Sequence, residues 1–140
     1  MKTLLLVSIF LVGSLLHANE RFISCTESCQ FFDNFDNQCL FKISCKLENN
    51  CITRTACDRW DSFDKKCLST TETTNCFSPN PHIPLPTCTA SCQYFDSFNN
   101  QCLYKTKCEF LQHCVKSTAC EHWDSFDNKC NSEISQLSCN

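Results

Sequence analysis

The sequence predicts a small disulfide-rich fold: two tandem eight-cysteine modules with little regular secondary structure, built from short strands and turns. Three observations lead there. Sixteen of the 140 residues are cysteine, far more than a chain in a reducing compartment carries, because thiols there have no disulfides to form. The cysteines fall into two sets of eight with identical spacing. The segments between them hold at most nine residues, too short for long helices, and their apolar positions sustain neither a helical nor a strand period.

Taken from its start, the chain opens with Lys2 and an apolar run from Leu4 to Leu16, followed by polar sequence from His17. Residues 1–18 are therefore expected to be a secretory signal peptide, with cleavage after the small residue Ala18. The run is too short for a bilayer, which takes about 20 apolar residues, so no membrane span is expected. Removing 18 of 140 residues leaves 122 that keep every cysteine, a density of about 13% and above the roughly 8–10% that marks a disulfide scaffold. Localisation is expected to be secreted and extracellular. Twelve basic residues against 15 acidic ones, a net charge of −3, give no electrostatic footprint for nucleic acid or for an anionic membrane.

The first module is 25–76, with cysteines at Cys25, Cys29, Cys39, Cys45, Cys51, Cys57, Cys67 and Cys76. The second is 88–139, with Cys88, Cys92, Cys102, Cys108, Cys114, Cys120, Cys130 and Cys139. The offset is 63 throughout, and 27 of 52 aligned positions are identical without an insertion or deletion. Between the modules, 77–87 contains all four prolines, Pro79, Pro81, Pro84 and Pro86, and reads as a stiff, extended spacer.

Each module repeats once more inside itself. Cys29–Cys39 and Cys57–Cys67 share Cys-x-x-aromatic-Asp-x-Phe-Asp-x-x-Cys at an offset of 28, and 92–102 and 120–130 repeat it with Asn99 in place of the second Asp. The Asp-x-Phe-Asp/Asn segment reads as a tight turn, since Asp and Asn side chains bond their own backbone two residues on. The only glycine, Gly13, lies in the signal segment. Left-handed turn positions must then fall to Asn34, Asn37, Asn49, Asn50, Asn99, Asn100 and Asn128. Eight cysteines allow about 105 pairings per module, and the internal duplication suggests that each half closes two bridges of its own. A module of this size buries too little apolar surface to stand alone, and four bridges worth roughly 2–4 kcal/mol each supply the difference.

The candidate chemistries narrow quickly. Zinc prefers repeated C-x₂₋₄-C pairs, which only Cys25/Cys29 and Cys88/Cys92 approach, so disulfides are expected and no metal or other cofactor. His113 aligns with Asn50 and His122 with Arg59, while His17 and His82 lie in the signal and the spacer; no histidine site can be common to both modules. The carboxylate pairs Asp33/Asp36, Asp61/Asp64 and Asp124/Asp127 could serve glycoside hydrolysis only across a sugar-holding cleft, which a 52-residue knot has little room for. They read better as turn formers, with calcium ligation a weaker option because Asp36 becomes Asn99. The chain is not expected to be an enzyme.

The aromatics carry the functional expectation. Phe35, Phe63, Phe98 and Phe126 recur in all four units and are expected to be packing anchors. Phe31 aligns with Tyr94 and Phe41 with Tyr104; a Phe/Tyr exchange implies that the far end of the ring reaches water or a partner. Exposed rings beside carboxylates suit sugar, whose C–H face packs on a ring while its hydroxyls need polar partners. Phe31, Phe41, Trp60, Asp61, Tyr94, Tyr104, Trp123 and Asp124 are the expected carbohydrate-binding residues, and two such faces in tandem would bind a polymer with avidity.

On these residues the chain resembles the small cyst-wall lectins of amoebae, which bind chitin or cellulose through tandem eight-cysteine domains. The pieces Phe63-Asp64-Lys65-Lys66-Cys67 and Phe126-Asp127-Asn128-Lys129-Cys130 also look like the end of the peritrophin-type chitin-binding motif. The resemblance implies non-catalytic binding of a β-linked polysaccharide in an extracellular coat or wall. A secreted protease inhibitor is the main alternative, with Arg54 in Cys51-Ile-Thr-Arg-Thr-Ala-Cys57 as the contact residue, although its counterpart is Ser117, with Lys116 one position earlier. A purely structural cysteine-rich extracellular protein is the third reading. No Asn-x-Ser/Thr sequon occurs, and O-linked sugar on Thr70, Thr71, Thr73 and Thr74 stays open.

Overall fold

The computed structural model describes residues 22–140, so the expected signal peptide, 1–18, lies outside the described residues. All sixteen cysteines are paired. In the first module the bridges are Cys25–Cys45, Cys29–Cys39, Cys51–Cys76 and Cys57–Cys67. The second repeats them as Cys88–Cys108, Cys92–Cys102, Cys114–Cys139 and Cys120–Cys130. Each half of a module thus closes two bridges of its own.

Every regular element among the described residues is a strand. The first module holds β1 (Ile23–Glu27), β2 (Cys29–Asp33), β3 (Gln38–Lys42), β4 (Ser44–Glu48), β5 (Cys51–Asp61) and β6 (Lys66–Cys76). The second holds β7 (Cys92–Asp96), β8 (Gln101–Lys105), β9 (Lys107–Leu111), β10 (Cys114–Asp124) and β11 (Lys129–Cys139). Four strands run to 11 residues, more order than short strands and turns imply. These segments lack strict alternation because cysteines occupy both faces and because each long hairpin is bulged, next to Arg59 and next to His122. A bulge breaks the period-2 pattern that betrays a strand in sequence.

The internal repeat is a hairpin built four times. β2–β3, β5–β6, β7–β8 and β10–β11 each carry a bridge ten residues long just below the tip, and each is bulged between that cysteine and the aromatic residue. The turns need a left-handed residue, and Asn37, Lys65, Asn100 and Asn128 supply it at φ of 50–52°. Asn49 and Asn50 form a second left-handed turn between β4 and β5. Asn34 and Asn99 are not left-handed, and Lys65 is: in this turn the strained position is the one two residues before the closing cysteine, whatever side chain sits there.

The modules are not equivalent in their surroundings. The first forms a three-stranded sheet in the order β4–β5–β6, the second a four-stranded sheet β1–β11–β10–β9, so β1 of the first module completes the sheet of the second. The central apolar cluster joins Cys25 and Ile52 to Cys114, Leu137 and Cys139, with Ile23, Cys45, Leu47 and Phe77 packed around it. It draws on both modules. Glu27 locks the same seam, accepting from the Cys45 N–H at 3.1 Å and pairing with Lys116 at 2.9 Å.

The spacer is not an extended rod. The Phe77 N–H bonds Asn50 O, and Asn80 turns the chain by accepting the His82 N–H on its side chain and the Ile83 N–H on its backbone carbonyl. Asn140 then donates to Ile83 O and ties the turn to the second module. Proline sets φ at its own positions, but one Asn between two prolines suffices to reverse the chain.

Candidate functional site

The aromatic residues come together, though not as a sugar platform open on both sides. Phe31 stacks on Trp60 with ring centroids 4.1 Å apart and planes 9° from parallel, and Phe41 meets Trp60 edge-on at 6.5 Å. Tyr94, Trp123 and Tyr104 repeat the trio, at 4.1 and 6.3 Å. All six rings are half-buried. Each trio clasps one hairpin of a module to the other. Tyr104 uses its hydroxyl internally, donating to Glu133 at 2.8 Å, while the Lys107 ammonium bonds the same carboxylate and lies 5.7 Å from the ring centroid. Burial and the Glu133 carboxylate push its pKa up to about 12.

The expected packing anchors are a correction. Phe35, Phe63, Phe98 and Phe126 are 93–94% exposed. Each follows the first Asp of a hairpin turn by two residues, at the end of a ladder where no further layer exists to cover it. Sequence recurrence marks the turn, not a core position.

The turn itself is held by the aspartate. Asp33, Asp61, Asp96 and Asp124 each accept the N–H of the exposed phenylalanine at 2.9 Å, and a second N–H from the following residue. A Lys65 hydrogen bond, with the turn N–H groups, holds Asp33 below the usual aspartate range. Asn99 does so for Asp96, and the Asp127 and Phe126 N–H groups for Asp124. Lys65 is raised by Asp33, and Lys129 by Asp127. The carboxylates are occupied as turn formers. Among the described residues no group of three His, Cys, Asp or Glu side chains could hold a metal ion.

Contacts between the hairpins set the four tips in a row. Lys65, on the β5–β6 tip, pairs with Asp33 and Asp36 on the β2–β3 tip. Asn37, at the other side of that tip, donates to Asp124 on the β10–β11 tip at 2.8 Å. The Tyr94–Trp123 stack and the paired bonds between Gln93 and Cys120 bring the β7–β8 hairpin against β10. The same pair of devices, Phe31–Trp60 and Gln30–Cys57, seats β2–β3 against β5. The order is Phe63, Phe35, Phe126, Phe98. This run of exposed rings, each next to acidic or amide side chains, is the feature that the sequence left among the packing residues. The signal for it was present: a phenylalanine inside an Asp-x-Phe-Asp turn cannot reach the interior of its own hairpin.

The remaining expected residues are placed as follows. Asp61 and Asp124 stand at the turn bases, directly after the stacked tryptophans. Arg54 lies in the middle of β5, paired with Cys45 on one side and Thr73 on the other, not on a protruding loop, and Lys116 is paired with Glu27. Two clefts of about 270 and 370 Å³ flank Phe77 at the opposite end of the hairpins, and neither touches an expected carbohydrate-binding residue. No protein-family model, curated protein or solved structure matches the chain.

Proposed function

We propose that the chain is a secreted, non-catalytic polysaccharide-binding protein that takes an extended β-linked polymer, of the chitin or cellulose type, along its row of hairpin tips, as a component of an extracellular coat or wall. The observation that carries this reading is the row of four phenylalanines, 93–94% exposed, on turns stiffened by an aspartate and a disulfide. Leaving four large rings in water forgoes roughly 1.5–3 kcal/mol of burial each, and such exposure in rigid, repeated loops marks a contact surface. A pyranose presents C–H bonds to a ring face and hydroxyls at its rim, and each tip offers a ring with carboxylate or amide groups beside it. Linked weak sites on one rigid body act together on a polymer, so modest single-sugar affinity is sufficient. Phe31, Phe41, Trp60, Tyr94, Tyr104 and Trp123 serve this surface from below by fixing the spacing of the tips, and Asp61 and Asp124 line it. Full pairing of sixteen cysteines accords with an oxidising, extracellular setting.

The test is retention on insoluble chitin and cellulose. The parent is expected to be held, a variant with Phe35, Phe63, Phe98 and Phe126 all replaced by Ser to wash through with unchanged circular dichroism, and Trp60→Phe with Trp123→Phe to stay bound. A parent that passes both polymers refutes the reading. Loss in a folded Trp60→Ala, Trp123→Ala variant, with the tip variant still bound, moves the site to the stacked trios.

A further inference from the structure

The seam between the two modules is used once in the chain, and both of its halves recur unused. On the donating side, β1, Cys29, Phe32 and Asn37 of the first module reach the second. β1 pairs with β11 from Ile23↔Cys139 to Glu27↔Ser135; the Cys29 N–H bonds Glu121 at 2.9 Å; Phe32 stacks on His122 at 3.8 Å; Asn37 bonds Asp124. At the offset of 63 the same donors in the second module are 86–90, Cys92, Phe95 and Asn100. The same acceptors in the first module are β6, Asp58, Arg59 and Asp61.

Exposure follows that division. β11 is largely buried or half-buried, whereas β6, its equivalent, is exposed at ten of 11 positions. Phe32 is half-buried and Phe95 is 58% exposed; Glu121 and His122 are half-buried, while Asp58 and Arg59 are exposed. The stacking ladder that runs through the hairpins divides in the same way. Trp60 meets Phe31, Phe32 meets His122, and Trp123 meets Tyr94. Phe95 is left over at one end and Arg59 at the other.

The open edge of β6 is competent to pair. Cys51 and Cys76 are 3.9 Å apart at Cα, as Cys114 and Cys139 are at 4.0 Å, the spacing of a non-hydrogen-bonded antiparallel pair. The bonds Phe77 N–H to Asn50 O and Asn140 N–H to His113 O, one residue on, agree. The main-chain groups of Glu72, Thr74 and Cys76 therefore point away from β5 into the free edge, as those of Ser135, Leu137 and Cys139 point at β1. Between Cys67 and Cys76 this edge carries neither lysine nor proline, the usual guards of an exposed strand.

We propose that the chain assembles head to tail with further copies of itself, residues 86–90 of one copy adding to β6 of the next in the register Pro86↔Cys76 to Ala90↔Glu72. The internal seam is the template. In the copy-to-copy seam Asn100 bonds Asp61, whose Oδ2 accepts nothing among the described residues. Arg59 stacks on Phe95 in place of the His122–Phe32 pair, a cation–π contact, and Asp58 receives the Cys92 N–H. The contact is heterologous, so it propagates instead of closing as a two-fold dimer. It is also weaker than its template. Leu137 becomes Thr74, the Glu27–Lys116 pair becomes Ala90 and Thr53, and Pro86 lacks the N–H of Ile23. Assembly then depends on concentration, and it continues the row of tips by setting Phe63 of one copy beside Phe98 of another. The inference stands on the seam alone and does not depend on what the tips bind.

The test is sedimentation velocity of the oxidised protein from micromolar to millimolar concentration, with Ala90→Pro as a donor-blocked variant and Thr74→Pro as an acceptor-blocked one. Both substitutions remove an N–H that faces the free edge; the second also loses the exposed Thr53–Thr74 hydroxyl contact. Phe95→Ser and Arg59→Ser form a second donor and acceptor pair that leaves every strand intact, and parental circular dichroism with the native bridges found by peptide mapping checks each fold. The parent is expected to grow in mass with concentration, each variant to stay monomeric, and a donor-blocked chain mixed with an acceptor-blocked one to stop at a 1:1 dimer. A parent monomeric throughout overturns the proposal, as does association that persists unchanged in both Phe95→Ser and Arg59→Ser.

Discussion

A single tyrosine illustrates how one residue exchange between the modules is absorbed. Phe41 and Tyr104 hold the same place against a tryptophan, yet the hydroxyl of Tyr104 needs a partner because it is only half in water, and it finds Glu133 where the first module has Thr70. Its pKa of about 12 means that the folded state holds the phenol proton more tightly than the unfolded chain does. That contribution is complete below the ordinary tyrosine value near 10 and is lost as pH rises through about 12. Absorbance titration near 295 nm is expected to find this high midpoint, and Glu133→Gln to lower it without reaching the ordinary value, since burial remains. The turn aspartates work in the other direction. Asp33, Asp96 and Asp124 are depressed on folding, so their contribution is present above the ordinary carboxylate range and disappears as pH falls below about 4. Replacing all three with Asn keeps a side-chain acceptor in the turn but removes the titration. Denaturant melts between pH 7 and pH 2 are expected to show a shallower acid loss in that variant than in the parent. At this scale the sequence was informative about the turns, because Asp and Asn act on backbone within two or three residues of themselves. It was misleading about Phe35 and its three equivalents, because exposure depends on what lies beyond the hairpin end.

Four copies of one bulged, cross-bridged hairpin account for most of the ordered backbone, and they explain how a chain without glycine in its modules makes tight turns: Asn or Lys takes the left-handed position, and the strain is offset by the aspartate bonds and by the bridge below the tip. The element that matters most to the joining of the modules is of the shortest kind, β1, a five-residue strand. It stands between Cys45 and Leu47 of its own module and β11 of the other, and its Cys25 lies in the central cluster with Leu137. Leu137→Ala is therefore expected to cost about 2–5 kcal/mol, more than the same truncation at the equivalent position of β6, where Thr74 is exposed. Urea titration of the two variants checks this, with Thr74→Ala expected to cost under about 1 kcal/mol. The hairpins were legible as repeats and the bulges were not, since the same insertion that shapes the tip also erases the alternation by which a strand is recognised.

On the scale of the whole molecule the two repeats behave as one body. Each module keeps its own four bridges, but the only cluster of buried apolar side chains among the described residues lies between them, so neither half has a core to itself. Each contains one tryptophan, Trp60 or Trp123, so the unfolding of each can be followed separately. Fluorescence melts of Trp123→Phe and Trp60→Phe, reporting the first and second module respectively, are expected to share one midpoint, and Leu137→Ala to move both together; two separate transitions would mean independent modules. The order of the tips, Phe63, Phe35, Phe126, Phe98, is likewise a property of the joined body, since the middle contact is Asn37 with Asp124 across the seam. By itself the sequence determined the disulfide-rich class, the duplication at 63, the internal repeat at 28 and the turn chemistry, all of which follow from covalent spacing or from bonds between near neighbours. The tertiary structure alone decided that β1 would complete the other module's sheet and that the tips of the two modules would meet through Asn37 and Asp124. Those outcomes depend on which strand edge is left unpaired once both modules have closed. The partners that meet there, Ile23 with Cys139 and Glu27 with Ser135, lie too far apart along the chain for any local pattern of residues to encode their pairing.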